Sequence, residues 1–149
     1  MKTKCCDTHI SEKEAQDLLS QNGISRTKIK TSILLLLSKS KKPLSATEIY
    51  QKIGPKNCDI SSIWRTLKQF HEKGITRELN LGEDFFRYEL KDAHDEQDHH
   101  HHHVRCRDCG DIKQLEECDF SVFEKMFSKL GFKNMEHYLE FTGICSKCS

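Results

Sequence analysis

His99–Gly110 reads HHHHHVRCRDCG, five consecutive histidines running through a two-residue spacer into a CxxC turn. A second CxxC spans Cys145–Cys148, just before Ser149. Thiolates three positions apart chelate one ion without strain, and two such knuckles supply the four sulfurs of a closed zinc tetrahedron. The 35 residues between the pairs exceed the loop of an ordinary zinc ribbon. They are therefore expected to carry secondary structure of their own. Disulfides are the competing use of paired cysteines, but KTKCCDTHISEKEAQD after Met1 is polar throughout and shows no export signal. A reducing, cytoplasmic setting and metal ligation are expected instead.

The histidine run is internal, unlike a purification tag. On a strand it alternates faces: His99, His101 and His103 point one way and His100 and His102 the other. That allows two metal sites, one on each side, beside the cysteine site. A solvated low-complexity tract is the competing reading.

Working outward, the 149 residues suffice for one ordinary domain or two small ones. Hydrophobic content of 36% against 32% charged is lean for a core of that length. A structural zinc offsets such a deficit, contributing on the order of 10 kcal/mol to folding. The longest apolar run, Ile33–Leu37, is five residues, so no membrane partner is expected. The net charge of +1 hides an asymmetry. Residues 1–80 carry 15 Lys and Arg against 8 Asp and Glu, a balance of +7; residues 81–149 carry 9 against 15, a balance of −6. The first part suits a polyanion and the second suits cations.

Before the histidines the chain reads as helices and then a hairpin. Cys5, Cys6 and His9 lie at a polar N-terminal end, read as frayed and reactive rather than as a further ligand set. Ser11 with Glu14, Thr27, and Ser45 with Glu48 are N-cap signals for three helices, the first stopped by Gly23 and the third by Gly54-Pro55. A fourth, capped by Ser61 or Asp59, has Ile60, Ile63, Leu67 and Phe70 as its buried stripe. Its other side offers Ser61, Ser62, Arg65 and Lys68, with Trp64 at the margin. This is the helix expected to contact phosphates and base edges in the major groove. A period-two pattern follows: Ile75–Leu81, a turn at Gly82–Asp84, then Phe85–Leu90 with Phe86, Tyr88 and Leu90 on one face. Helices followed by such a hairpin make a winged helix.

The acidic stretch KDAHDEQD, Lys91–Asp98, is the natural hinge. Beyond it, strand-like Val104–Cys106 and Ile112–Leu115 flank the first knuckle. Phe120, Phe123, Phe127 and Leu130 outline a helix ended by Gly131, and His137, Leu139 and Phe141 alternate in a last strand. The expected architecture is α+β: a winged helix-turn-helix domain over 1–90, a hinge over 91–98, and a small α/β metal-binding dimerisation domain over 99–149. Sheet edges pair across two-fold axes, so a homodimer on a palindromic DNA site is expected.

With RYEL, the histidine run, VRCRDCG and the closing GICSKC in this order, the sequence resembles the ferric uptake regulator family of metal-dependent bacterial repressors from about Gly23 to Cys148. SATEIY at 45–50 and SIWRTLKQFHEKGI at 62–75 resemble that family's helix-turn-helix segments. The resemblance implies structural zinc on Cys106, Cys109, Cys145 and Cys148. It implies a regulatory ion on Glu89, His101 and His103; because the hinge is longer than the family's, His94 or a neighbouring acid is expected to complete that site. It implies an additional site on His100, His102 and His137, whose acid does not align cleanly; Asp119, Glu117 and Glu124 are the candidates. Mixed nitrogen and oxygen donors suit zinc, ferrous iron or manganese. Trp64 stands where the family has tyrosine, and Pro43 stands where iron-sensing members often supply a histidine. The function implied is a metal-responsive repressor of uptake or homeostasis genes on an AT-rich inverted repeat. A histidine-rich metal store or chaperone is the alternative. No nucleophile is poised for a hydrolytic enzyme.

Overall fold

A computed structural model of the chain describes residues 9–91, 102–115, 121–133 and 139–149. It forms two compact units, Met1–Asp98 and His99–Ser149.

The first unit opens with α1 (Glu12–Gln21) and α2 (Lys28–Lys39). The Ser11 hydroxyl accepts the Glu14 amide at 3.3 Å while the Ser11 amide donates to the Glu14 carboxylate at 2.7 Å, satisfying two donors a helix start leaves orphaned. Thr27 caps α2 in simpler fashion. Strand β1 (Leu44–Ser45) runs into α3 (Ala46–Ile53), where Ser45 and Glu48 form a second reciprocal cap. Gly54 ends α3 at φ 92°; a Cβ there would lie 3.3 Å from the Asn57 side chain. Helix α4 (Ile60–Glu72) is capped by Asp59, which resolves the choice between Asp59 and Ser61. Ala15, Leu19, Ile33, Leu34, Ile49, Ile63, Leu67 and Phe70 close a single apolar core.

Strands β2 (Thr76–Leu79) and β3 (Arg87–Leu90) pair antiparallel, with β1 on the far side of β3, in the order β1-β3-β2. This is the winged helix expected from sequence, with three local corrections. Ile60 is exposed, so the α4 stripe begins at Ile63. The strands are shorter than the period-two runs, because Asn80 accepts the Gly82 amide at 3.0 Å and turns the chain early. Phe86 is exposed while Arg87 is buried, against the expected alternation. The reason is ionic: the guanidinium reaches both Glu83 oxygens at 2.5 and 3.0 Å, Glu48 at 2.8 Å and the Pro43 carbonyl at 3.3 Å.

In the second unit, β4 (His102–Cys106) pairs antiparallel with β5 (Ile112–Leu115) around the first CxxC turn. It pairs parallel with β6 (Glu140–Gly143), giving the order β5-β4-β6. Helix α5 (Ser121–Lys129) supplies the secondary structure expected between the knuckles. Strand β4 includes His102 and His103 ahead of the expected Val104, whereas Leu139 lies just outside β6. None of α5 is buried within the chain, and Val122, Phe123, Met126 and Leu130 are exposed. Among the described residues no helix is long and apolar enough to cross a membrane.

Candidate functional site

The parallel register of β4 and β6 explains how two knuckles 35 residues apart meet. Cys106 lies opposite Gly143, so the strand ends deliver both CxxC turns to the same edge. The Arg107 amide donates to the Gly143 carbonyl at 2.8 Å and the Cys145 amide to the Cys106 sulfur at 3.3 Å, fixing one turn against the other. All four sulfurs lie within 4.8 Å of one another, with Cys109 to Cys145 at 3.6 Å and Cys145 to Cys148 at 3.7 Å. Amides of Cys109 and Cys145 aimed at Cys106 pull its thiol down to about 6. The neighbouring thiols of Cys145 and Cys109 push Cys148 up to about 12. Four thiols so close cannot all ionise against one another; a soft divalent cation at their centre removes the conflict. Four sulfurs without a fifth donor among the described residues fit a closed, structural zinc.

The same strand carries imidazoles. Adjacent on β4, His102 and His103 take opposite faces, and both are buried, at 4% and 1% exposure. The His102 Nδ1 lies 2.8 Å from the Leu139 carbonyl, which can only accept, so Nδ1 carries a proton, and in the neutral ring that leaves the lone pair on Nε2. That is the tautomer a metal ligand needs. Glu89 on β3 faces Arg77 across the hairpin at 3.8 Å. His94, His100, His101, Asp119 and His137, like Cys5 and Cys6, lie outside the described residues.

On α4 the residues expected at DNA are exposed or half-exposed, but two are engaged. The Ser62 hydroxyl donates to Asp59 at 2.7 Å and the Ser61 hydroxyl donates to the same carboxylate. These bonds hold the Asp59 carboxyl well below the usual carboxylate range. Arg65 leans back on Ser61 at 3.4 Å, Lys68 faces Glu72 at 3.9 Å, and Trp64 is exposed. His71 sits 3.8 Å from Glu78, whose other oxygen accepts the Tyr88 hydroxyl at 2.8 Å. Sequence reasoning missed three of these links: the serines held by Asp59, the carbonyl holding His102, and the inward Arg87. Only the last had a signal, since Glu83 and Arg87 are four apart and Glu48 already stood in a cap.

Comparison with known proteins places this geometry. The family model described as ferric uptake regulator matches residues 21–142. The peroxide operon regulator of Bacillus subtilis is 29% identical over 140 residues, covering 92% of both chains. The peroxide-responsive repressor of Staphylococcus aureus is 30% identical over 133 residues, covering 87% of this chain and 86% of its own. Among solved structures, the ferric uptake regulator of Francisella tularensis with iron superposes with a TM-score of 0.73 at 25% identity, over 85% of this chain and 95% of that one. A winged helix, a small sheet closed by four cysteines and a match along most of the sequence agree: the chain belongs to the ferric uptake regulator family, whose members are metal-responsive, dimeric, DNA-binding transcriptional regulators and not enzymes.

Proposed function

We propose that this protein represses genes of metal uptake or homeostasis, with zinc or ferrous iron as corepressor and manganese as a third candidate. The observation that carries the reading is strand β4, which ends in a thiolate of the four-sulfur cluster and bears two buried imidazoles on opposite faces. A protein that only stored metal would need neither the cluster's fixed geometry nor a basic winged helix. In this reading residues 1–90 bind DNA, 91–98 are the hinge, and 99–149 hold metal and dimerise, in the cytoplasm. Glu89, His94, His101 and His103 are the regulatory donors; His100, His102, His137 and Asp119 are those of the additional site. A bound divalent ion supplies a fixed positive centre that ties its donors together. Donors so tied leave less motion to freeze when two recognition helices dock on one duplex. Val122, Phe123 and Met126 of α5 and Leu130 just after it are exposed and recur at helical spacing, which supports a homodimer, since exposed apolar side chains grouped in this way are covered in stable assemblies.

Docking assigns roles along α4. Arg65 and Lys68 meet phosphates, and Trp64 meets thymine methyls in an AT-rich inverted repeat. Ser61 and Ser62 already donate to Asp59. Their oxygens therefore face outward as acceptors, suited to the amino groups of adenine or cytosine. Glu89, for its part, exchanges Arg77 for the ion.

The test is selection of duplexes from a random pool by metal-loaded protein, followed by mobility shifts with zinc, ferrous iron and manganese in turn. Sequence-selective, chelator-sensitive binding with one of these ions supports the reading; binding with no sequence preference overturns it in favour of a metal store. The similarity to peroxide-responsive repressors supports a second reading. Release by peroxide of the ferrous form alone would make the chain a peroxide sensor.

A further inference from the structure

The wing carries the wrong chemistry for a phosphate backbone. Its tip, Gly82–Phe86, reads GEDFF and contains no cation. The nearest one, Arg87, is 7% exposed and turned inward onto Glu83, Glu48 and the Pro43 carbonyl. The tip nonetheless has fixed geometry. Leu81 is fully buried beneath it, Asn80 closes the turn on the Gly82 amide, and the Glu83 carboxylate is held by Arg87. What remains outside is Asp84 with two exposed aromatic rings, Phe85 and Phe86, the Arg87 guanidinium lying 5.4 Å from the centroid of the Phe85 ring. Exposed rings on a held loop lose little conformational freedom on docking, which is the property of a protein-binding anchor.

A surface of opposite character lies elsewhere on the same unit. Between α2 and α3 runs an open groove of about 650 Å³, with half-buried Ile29, Leu36 and Ile53 along its floor and exposed Lys28, Lys39 and Lys52 around it. None of these three ammonium groups is paired with a carboxylate among the described residues. An apolar floor inside a lysine rim fits an occupant that is both aromatic and acidic. DNA has no apolar face to lay on that floor, and the acidic segment DAHDEQD at 92–98 has no large apolar side chain. The wing tip has both.

We propose that the α2–α3 groove receives the Phe85-Phe86 wing tip of a second copy, with Asp84 set against Lys39 and Lys52. The contact joins different patches on the two partners, so it does not close on itself and extends into a row of molecules. It rests on neither the regulatory metal nor the operator, and its failure leaves the repressor reading untouched.

The test is sedimentation velocity of the full chain without DNA at rising protein and falling salt concentration. The wild-type protein should associate beyond the dimer. Phe85→Ser with Phe86→Ser, Asp84→Lys, and Lys39→Glu with Lys52→Glu should each weaken that association about tenfold or more. Asp84, Lys39 and Lys52 are exposed, so melting temperatures of the charge variants should stay at the wild-type value; the aromatic variant also loses the Phe85 contact with Arg87, so its fold is certified by an unchanged far-ultraviolet circular dichroism spectrum and a cooperative melt. The deciding arm mixes the Asp84→Lys protein with the Lys39→Glu, Lys52→Glu protein. Recovered association between two individually deficient proteins supports the proposal. No recovery, or association unaffected by the aromatic substitutions, overturns it.

Discussion

Asp59 and Arg87 show how single side chains set the terms of this fold. Asp59 accepts from the Ser62 amide at 2.9 Å and from two serine hydroxyls, so its carboxyl protonates at lower pH in the fold than in the unfolded chain. A depressed carboxyl stabilises above the unfolded value and loses that stabilisation as pH falls through the folded one. Melting followed from pH 7 downward should hold this contribution until below about pH 4, the ordinary aspartate range. Asp59→Asn should flatten that part of the acid limb, and a limb identical to wild type would remove the cap from the account. Arg87 is a different case, because its removal takes the guanidinium away from the Glu83 carboxylate, whose side chain is 8% exposed. Arg87→Met is expected to cost about 3 kcal/mol in urea unfolding. A loss below about 1 kcal/mol would mean that the network behaves as a surface ion pair.

Elements were legible in the sequence wherever a local rule governed them. Reciprocal caps at Ser11 and Ser45, the stop at Gly54, the apolar stripe from Ile63 to Phe70 and the turn between cysteines each depend on neighbours within about four residues. The wing was less legible: the spacing of Glu83 and Arg87 is a local signal, but the burial of Arg87 also depends on Glu48, 39 positions away. The engagement of Ser61 and Ser62 was hidden because an Asp before two serines gives the same sequence signal whether the hydroxyls face DNA or the cap. For α4 this yields a measurable distinction. Lys68→Ala should weaken binding evenly across DNA sequences and lower the salt slope by about one. Trp64→Ala should instead change which sequences are selected, at roughly 1–3 kcal/mol of discrimination for the affected base pair. Equal losses on every duplex for both variants would contradict that division of labour.

At the scale of the whole molecule, the winged helix and the cysteine-closed sheet could both be read from motif order. The assignment of donors to each regulatory ion could not, since it rests on which histidines meet across the chain rather than on spacing. The cysteine cluster and the regulatory donors should separate under chelation. A weak chelator should strip the regulatory ion and release DNA while the second unit stays folded. Cys106→Ser should unfold that unit and abolish dimerisation, as seen by near-ultraviolet circular dichroism and sedimentation. The most direct test of the central claim is the operator affinity of one full-length preparation, measured with the regulatory ion present and then removed, the cysteine-bound zinc being verified by metal analysis in both states. Loading is expected to tighten binding by about 5- to 150-fold, the usual range of coupling between two sites; equal affinity in the two states would contradict the account.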